Sequence, residues 1–136
     1  TDGHIDDMTR FVSPSTIVSA VENNSKDVNY QALQENWERL HGFYFADGSK
    51  PELVALPMPS PVVHEGQRLP ASYANFYISN DSVWVPIFDD PNDKQAIGVL
   101  QECFTNKVVR GINARELVWG LGAFHCLSQQ QPVRSN

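Results

Sequence analysis

Ala74-Asn75-Phe76-Tyr77-Ile78-Ser79-Asn80-Asp81-Ser82-Val83-Trp84-Val85-Pro86-Ile87-Phe88 is the stretch on which the fold turns. Two runs rich in β-branched and aromatic residues flank the polar residues 79–82, which predicts a β-hairpin with a four-residue turn. Pro86 has no N–H to give a ladder, so it belongs at a strand end or on an edge. Asp90-Pro91 then caps and starts a helix whose Ala96, Ile97, Leu100, Cys103 and Phe104 draw an apolar stripe. Val108-Val109-Arg110-Gly111-Ile112 returns as a strand, and residues 114–119 add a brief helical turn.

The same order precedes it. Met8 to Val12 reads as a short strand, Ser13-Pro14-Ser15 as a turn, and Thr16-Ile17-Val18-Ser19-Ala20-Val21 as a second strand. Asn24-Ser25 offers an N-cap to a helix from about Lys26 to His41, with Tyr30, Leu33, Trp37 and Leu40 at helical spacing, and Gly42 closes it. Leu53-Val54-Ala55-Leu56 is a short buried strand. Hairpin, helix and strand thus occur twice, at residues 8–56 and 74–112, so an α/β (α+β) chain of two β-β-α-β units in one domain, residues 1–136, is expected. Between them Pro57, Pro59, Pro61 and Pro70 predict an ordered loop or insertion without ladder or helix.

Composition narrows the function classes. The chain has 136 residues, 41% apolar, with a formal charge of −6. No Lys/Arg cluster offers a field for a phosphate backbone, so nucleic acid is an unsuitable partner. No run approaches the roughly 18 to 20 apolar residues of a membrane span, and no signal-type segment opens the chain. Two Cys in different contexts, and no disulfide framework, fit a reducing compartment, hence the expectation of a cytoplasmic protein.

Chemistry concentrates at the two ends. Thr1-Asp2-Gly3-His4-Ile5-Asp6 and Gly120-Leu121-Gly122-Ala123-Phe124-His125-Cys126 together supply histidine, carboxylate and thiol beside glycine-bearing turns. Cys126 sits in a polar, tightly turned segment, where a reactive thiol belongs, whereas Cys103 lies on an apolar helical stripe and reads as structural. On an extended backbone His4 and Asp6 project to one face, fitting an acid/base plus a cation clamp. His125 directly precedes Cys126, and adjacent residues of an extended chain point apart, which makes it the poorer partner for the thiol. His41 and His64 read as surface residues. No C-x-x-C, H-E-x-x-H or close His pair is present, and Gly-Leu-Gly at 120–122 lacks the spacing of a phosphate loop, so neither metal nor nucleotide cofactor is expected.

These segments, with Arg10-Phe11-Val12, Leu56-Pro57-Met58-Pro59, residues 68–78 from Arg68 to Ile78, Asp90-Pro91-Asn92-Asp93, and Arg115 to Gly120 running on to His125-Cys126, resemble the bacterial-type peptidylarginine deiminase family. Within it, the likeness is to the C-terminal half of agmatine deiminases. The resemblance implies the pentein fold, a propeller of β-β-α-β units, of which this chain holds an incomplete ring of about two, followed by the Cys turn at 119–132. It also implies that Cys126 attacks a guanidinium carbon, that His4 is the general acid/base, and that Asp6 binds guanidinium nitrogens. Chemically this is reasonable, because a carboxylate grips the planar N–H edge of a guanidinium, and a cation beside a thiol favours the thiolate. No cofactor is implied. The implied partners are the N-terminal half of the same protein, which carries further carboxylates, and a second copy in a homodimer. At Leu121 and Ala123 the chain departs from the family's common glycine and asparagine.

The reading that follows is hydrolysis of a small cationic guanidino substrate, agmatine first, to N-carbamoylputrescine and ammonia through a Cys thiouronium intermediate, with the isolated chain inactive. Peptidyl-arginine or free arginine is the alternative substrate. A non-catalytic binding or interaction module that keeps the fold elements is the alternative of another class.

Overall fold

A computed structural model of the chain describes residues 3–131, so Thr1 and Asp2 of the first end segment, and Pro132 of the Cys turn expected at 119–132, lie outside it. Strands β1 (Thr9–Phe11), β2 (Thr16–Val21) and β3 (Glu52–Pro57) form one sheet, with helix α1 (Tyr30–His41) between β2 and β3. β1 pairs antiparallel and β3 parallel to the central β2. A two-stranded ribbon follows, β4 (Val63–His64) with β5 (Gln67–Arg68). The second sheet repeats the first: β6 (Tyr77–Ile78) antiparallel and β8 (Val108–Asn113) parallel to the central β7 (Ser82–Ile87), with α2 (Asp93–Cys103) before β8.

The central strands follow from their composition. Ile17, Val18, Ser19 and Ala20 of β2 are all buried, as expected of a strand covered on both faces. α1 packs on β2, while α2 packs on both β8 and β3 and so joins the two sheets. One apolar cluster runs through the joint, from Val18 and Leu56 to Tyr73, Phe76, Val85 and Leu100. Pro86 sits in a central strand, but two residues past Trp84, the last β7 partner of β6, where a missing N–H costs no ladder bond. Among the described residues no helix is long and apolar enough to cross a membrane.

Several boundaries differ from the sequence reading, each for a local reason. α1 begins at Tyr30, not near Lys26, because the Asp27 carboxylate takes its own Asn29 N–H and both Asp27 oxygens take the Arg68 guanidinium (2.8 and 2.9 Å). α2 begins at Asp93 because the Asp90 side chain accepts from the Asn92 and Ser60 N–H groups and holds a turn there. The proline-rich stretch does build a ladder: Val63–Arg68 form a hairpin between Pro61 and Pro70, turning at Glu65 and Gly66 with φ of 50° and 80°. His64 is not a solvated residue, since its ring stacks on Trp119 at 4.1 Å. β6 keeps only two of the five residues expected of it. The carbonyls of Ala74 and Phe76 accept from the Arg10 guanidinium (3.0 and 2.9 Å), and that of Asn75 from the His125 N–H, so 74–76 are withdrawn from the ladder.

Large apolar side chains remain exposed in two patches. Ile5, Phe11 and Phe43 border one beside the first sheet; Ile112 and Leu127, with Trp84 and Tyr77, border the other beside the second. Gly111 of β8 lets α2 approach closely, because a Cβ there would lie 2.8 Å from Ile97 Cδ1 and 2.9 Å from Ile87 Cγ2. Gly111→Val is expected to lower unfolding stability by about 1–3 kcal/mol, the ordinary cost of overpacking, read from the urea midpoint at unchanged m-value.

Candidate active site

Asn75 is wholly buried where the two ends of the chain meet. Its Oδ1 accepts the backbone N–H groups of Ala123, His125 and Cys126 at 3.2, 3.0 and 3.3 Å. Its Nδ2 faces Asp7 Oδ1 at 2.8 Å, Cys126 Sγ at 2.9 Å and Asp6 Oδ2 at 3.3 Å. The Cys126 thiol donates to Asp6 Oδ2 at 3.2 Å, and His125 Nδ1 lies 2.7 Å from the same oxygen.

Local turns produce this arrangement. Residues 5–7 form a 3-10 turn in which Asp7 N–H bonds the His4 carbonyl (3.1 Å) and Met8 N–H bonds that of Ile5 (3.0 Å). The extended alternation expected of His4 and Asp6 is therefore absent: Asp6 turns to the thiol, while His4 is exposed and makes no side-chain capping bond. At the other end residues 124–127 also turn, with Leu127 N–H on the Ala123 carbonyl and Ser128 N–H on that of His125. In a turn, adjacent side chains are not forced apart, so His125 and Cys126 both reach Asp6. His125 is thus nearer the thiol's partner than the sequence reading allowed.

The glycines act through space more than through backbone freedom. Leu121, not a glycine, takes the left-handed conformation (φ 64°). Gly122 is required by proximity, since a Cβ would lie 2.5 Å from Cys126 Cβ and 3.0 Å from its Sγ.

Charges in the cluster oppose one another. Burial raises the Asp6 carboxyl, but hydrogen bonds from His125 and Cys126 outweigh it and hold Asp6 below the ordinary carboxylate range. Burial raises Asp7 to about 6 against the Asn75 hydrogen bond, with the Asp6 charge adding to the rise. Cys126 is pushed up by burial and by the Asp6 carboxylate, with Asn75 opposing. Burial lowers the Arg10 guanidinium from its ordinary range, opposed by the nearby Asp6 and Cys126, and its guanidinium carbon lies 4.5 Å from the centre of the Phe76 ring. Both cysteines are free thiols, Cys126 exposed and Cys103 partly buried. Among the described residues no three His, Cys, Asp or Glu side chains form a metal-ligand set. A cleft of about 640 Å³ beside His64, Asp89 and Trp119 shares no lining residue with this cluster.

Of the expected site residues, then, Asp6 and Cys126 are in contact and His4 stands outside the hydrogen-bonded group. Asn75, Asp7, Arg10 and His125 are the additions. A polar Asn interrupting Tyr73-Ala74-Asn75-Phe76-Tyr77 was the available signal for the first.

A sequence profile of the Porphyromonas-type peptidyl-arginine deiminase family matches residues 1–132. The chain belongs to that family. A provisionally named agmatine deiminase of Latilactobacillus sakei is 32% identical over 98% of this chain and 41% of its own length. The solved agmatine deiminase of Enterococcus faecalis shares the mixed α/β fold with a TM-score of 0.92 at 30% identity, over 99% of this chain and 42% of that one. A provisionally named arginine deiminase of Porphyromonas gingivalis gives a TM-score of 0.92 at 40% identity, over 97% and 39%. This chain spans about 41% of the length of the curated relatives it matches.

Two outcomes follow from the site geometry. Gly122→Ala forces the Cys turn away from Asn75 and is expected to lower stability by about 1–3 kcal/mol and to change the iodoacetamide rate of Cys126 while leaving that of Cys103. Asp7, with a folded pKa of about 6 against 3.8, contributes stability that is complete below pH 3.8 and is lost as pH rises through 6. Asp7→Asn keeps an acceptor for Asn75, so the variant is expected to be more stable than the parent above pH 6, by on the order of 3 kcal/mol, with the difference vanishing below pH 4. Urea titrations across pH 3–8 read it.

Proposed function

We propose that the protein carrying this chain hydrolyses a guanidino group, with agmatine the favoured substrate and N-carbamoylputrescine and ammonia the products. One observation carries the reading: the Cys126 sulfur lies 3.2 Å from an Asp6 carboxylate that is held ionised and that discourages the thiolate. Such a pair is useful when a cation enters between them. A guanidinium gives its N–H edge to Asp6, cancels the charge opposing the thiolate, and presents its planar carbon to sulfur. The family membership and the relatives' names point the same way.

The steps are then simple. Sulfur adds to the guanidinium carbon to give a tetrahedral adduct; the C–N bond breaks as a protonated histidine gives its proton to departing ammonia, leaving a thiouronium. Water, deprotonated by the same histidine, adds to that carbon, and the C–S bond breaks to release the ureido product and the thiol.

His4 is the proton carrier in this reading: it begins the turn that bears Asp6, and its charge reaches Asp7. A second reading gives the role to His125, on the specific ground that its Nδ1 is 2.7 Å from Asp6 Oδ2. Further carboxylates come from the part of the protein beyond this chain, docked on the exposed apolar patches as more units of a pentein propeller, so the isolated chain is inactive.

The intact native protein is expected to release ammonia and a ureido product from agmatine, faster than from free arginine or an arginine peptide, and Cys126→Ser to abolish it. His4→Gln is expected to lower kcat by roughly 10²–10⁴-fold, the usual worth of a positioned acid/base, with a smaller loss for His125→Gln. The reverse order of losses transfers the role to His125. No ammonia from any of the three substrates contradicts the proposal.

A further inference from the structure

The β4–β5 ribbon is held more firmly than a two-stranded ladder can hold itself. Val62 and Leu69, at its two ends, are buried, and the Leu69 N–H bonds the Val62 carbonyl at 2.8 Å. Arg68 Nη1 donates to both oxygens of Asp27, whose side chain is 6% exposed, at 2.8 and 2.9 Å. With one partner so buried, the pair is little screened by solvent. His64 therefore stands on a rigid support.

That support is delivered to one place. The His64 ring stacks on Trp119 with centroids 4.1 Å apart and planes 18° from parallel. Trp119 is 51% exposed, and among the described residues its indole makes no hydrogen bond and no other ring contact. A side chain so open has little besides the stack to hold it.

Trp119 lies in the 3-10 turn Leu117–Gly120 that leads into the Cys turn. Val118 and Ala123 are buried at the two ends of this link, but what runs between them is poorly supported. A Cβ at Gly120 would meet nothing within 4 Å, and Leu121 is exposed with a left-handed φ of 64°. A residue with a side chain keeps that conformation only where its neighbours impose it. Downstream the neighbour is Cys126 itself: a Cβ on Gly122 would lie 2.5 Å from Cys126 Cβ and 3.0 Å from its Sγ, so backbone and thiol are in close contact and a displaced link displaces the sulfur. Upstream it is the stack of Trp119 on His64.

We infer that His64 is a positioning residue for Cys126: through its stack on Trp119 it passes the rigidity of the ribbon to the turn that presents the sulfur. The inference deepens the proposed function and rests on Cys126 being the nucleophile. A nucleophile must meet the guanidinium carbon at a set distance and angle, and a turn free to swing meets it less often. His64 is no part of the hydrogen-bonded cluster around the sulfur, so its removal is felt as altered geometry at the thiol and not as lost substrate binding.

Alkylation of Cys126 by iodoacetamide in the intact protein, resolved by peptide mass from Cys103, reads this without a guanidino substrate. His64→Ala is expected to change the Cys126 rate by roughly 2–10-fold, the span that one ring pair is worth, and to leave Cys103 as it was. His64→Phe keeps a ring for Trp119 and is expected to restore the parent rate. Trp119→Ala removes the same contact from the other side, so adding His64→Ala to it is expected to change nothing more. An unchanged Cys126 rate in folded His64→Ala, no recovery in His64→Phe, or effects that add in the double variant overturns the inference. His64→Gln, polar and without a ring, gives the same reading should His64→Ala not fold.

On agmatine, His64→Ala is expected to lower kcat by a like factor with KM little changed, and a loss confined to KM overturns the inference as well. Failure of the unsubstituted protein to release ammonia contradicts the proposed function and leaves the alkylation test standing.

Discussion

The buried amide of Asn75 bonds both ends of the described chain at once, and the site depends on it. Asp6 and Cys126 are 120 residues apart in sequence, and the backbone ladders place neither. Each belongs to a short turn, and a short turn has little ability to hold itself. Asn75 supplies what they lack: an oxygen that gathers the Cys turn, and a nitrogen that gathers the carboxylates. An unpaired amide in the interior costs about 1–3 kcal/mol per lost bond, so this arrangement is held by the penalty for leaving it as much as by the bonds themselves. The second sheet contributes by what it gives up. Residues 74–76 leave the β6 ladder, and Arg10 from the first sheet compensates their carbonyls, so one side chain joins the two sheets directly behind the thiol.

Electrostatics in the cluster then decide what the site can receive. Two neighbouring carboxyls cannot both ionise freely in partial burial, and here they separate: Asp6 stays ionised under its donors while Asp7, deeper, rises to about 6. Asp6 is left as the anion at the surface end of the group, next to an exposed thiol. A neutral or anionic substrate gains nothing there. A cation beside Asp6 relieves that carboxylate's opposition to the Cys126 thiolate and leaves burial to oppose it.

Much of the fold was legible because it depends on periodicity. The β-branched run Thr16–Val21 and the stripe Ala96, Leu100 and Phe104 are signals that tertiary contacts reinforce, and the two hairpin, helix and strand series have the expected pairing. What misled were positions where a side chain serves a distant partner. Asp27 is committed to Arg68 and delays α1; Arg10 and His125 take the carbonyls that β6 would have used; the turn at Glu65 and Gly66 makes a ladder among prolines. The site was half legible for the same reason. Cys126 and Asp6 stand out by chemistry and by family resemblance, but Asn75 reads as one more residue of a strand, and an extended backbone points His125 away from Cys126 where the turn at 124–127 does not.

Function here comes down to whether the Cys126 thiol, and not Cys103, is the nucleophile of a site that accepts an amidinium cation beside Asp6. Treatment of the intact protein with a haloacetamidine, followed by intact and peptide mass, decides it. One adduct is expected, on Cys126, formed more slowly when Asp6 is replaced by Asn and blocked by excess agmatine. Equal labelling of Cys103, or labelling of Cys126 indifferent to both Asp6→Asn and agmatine, contradicts that role.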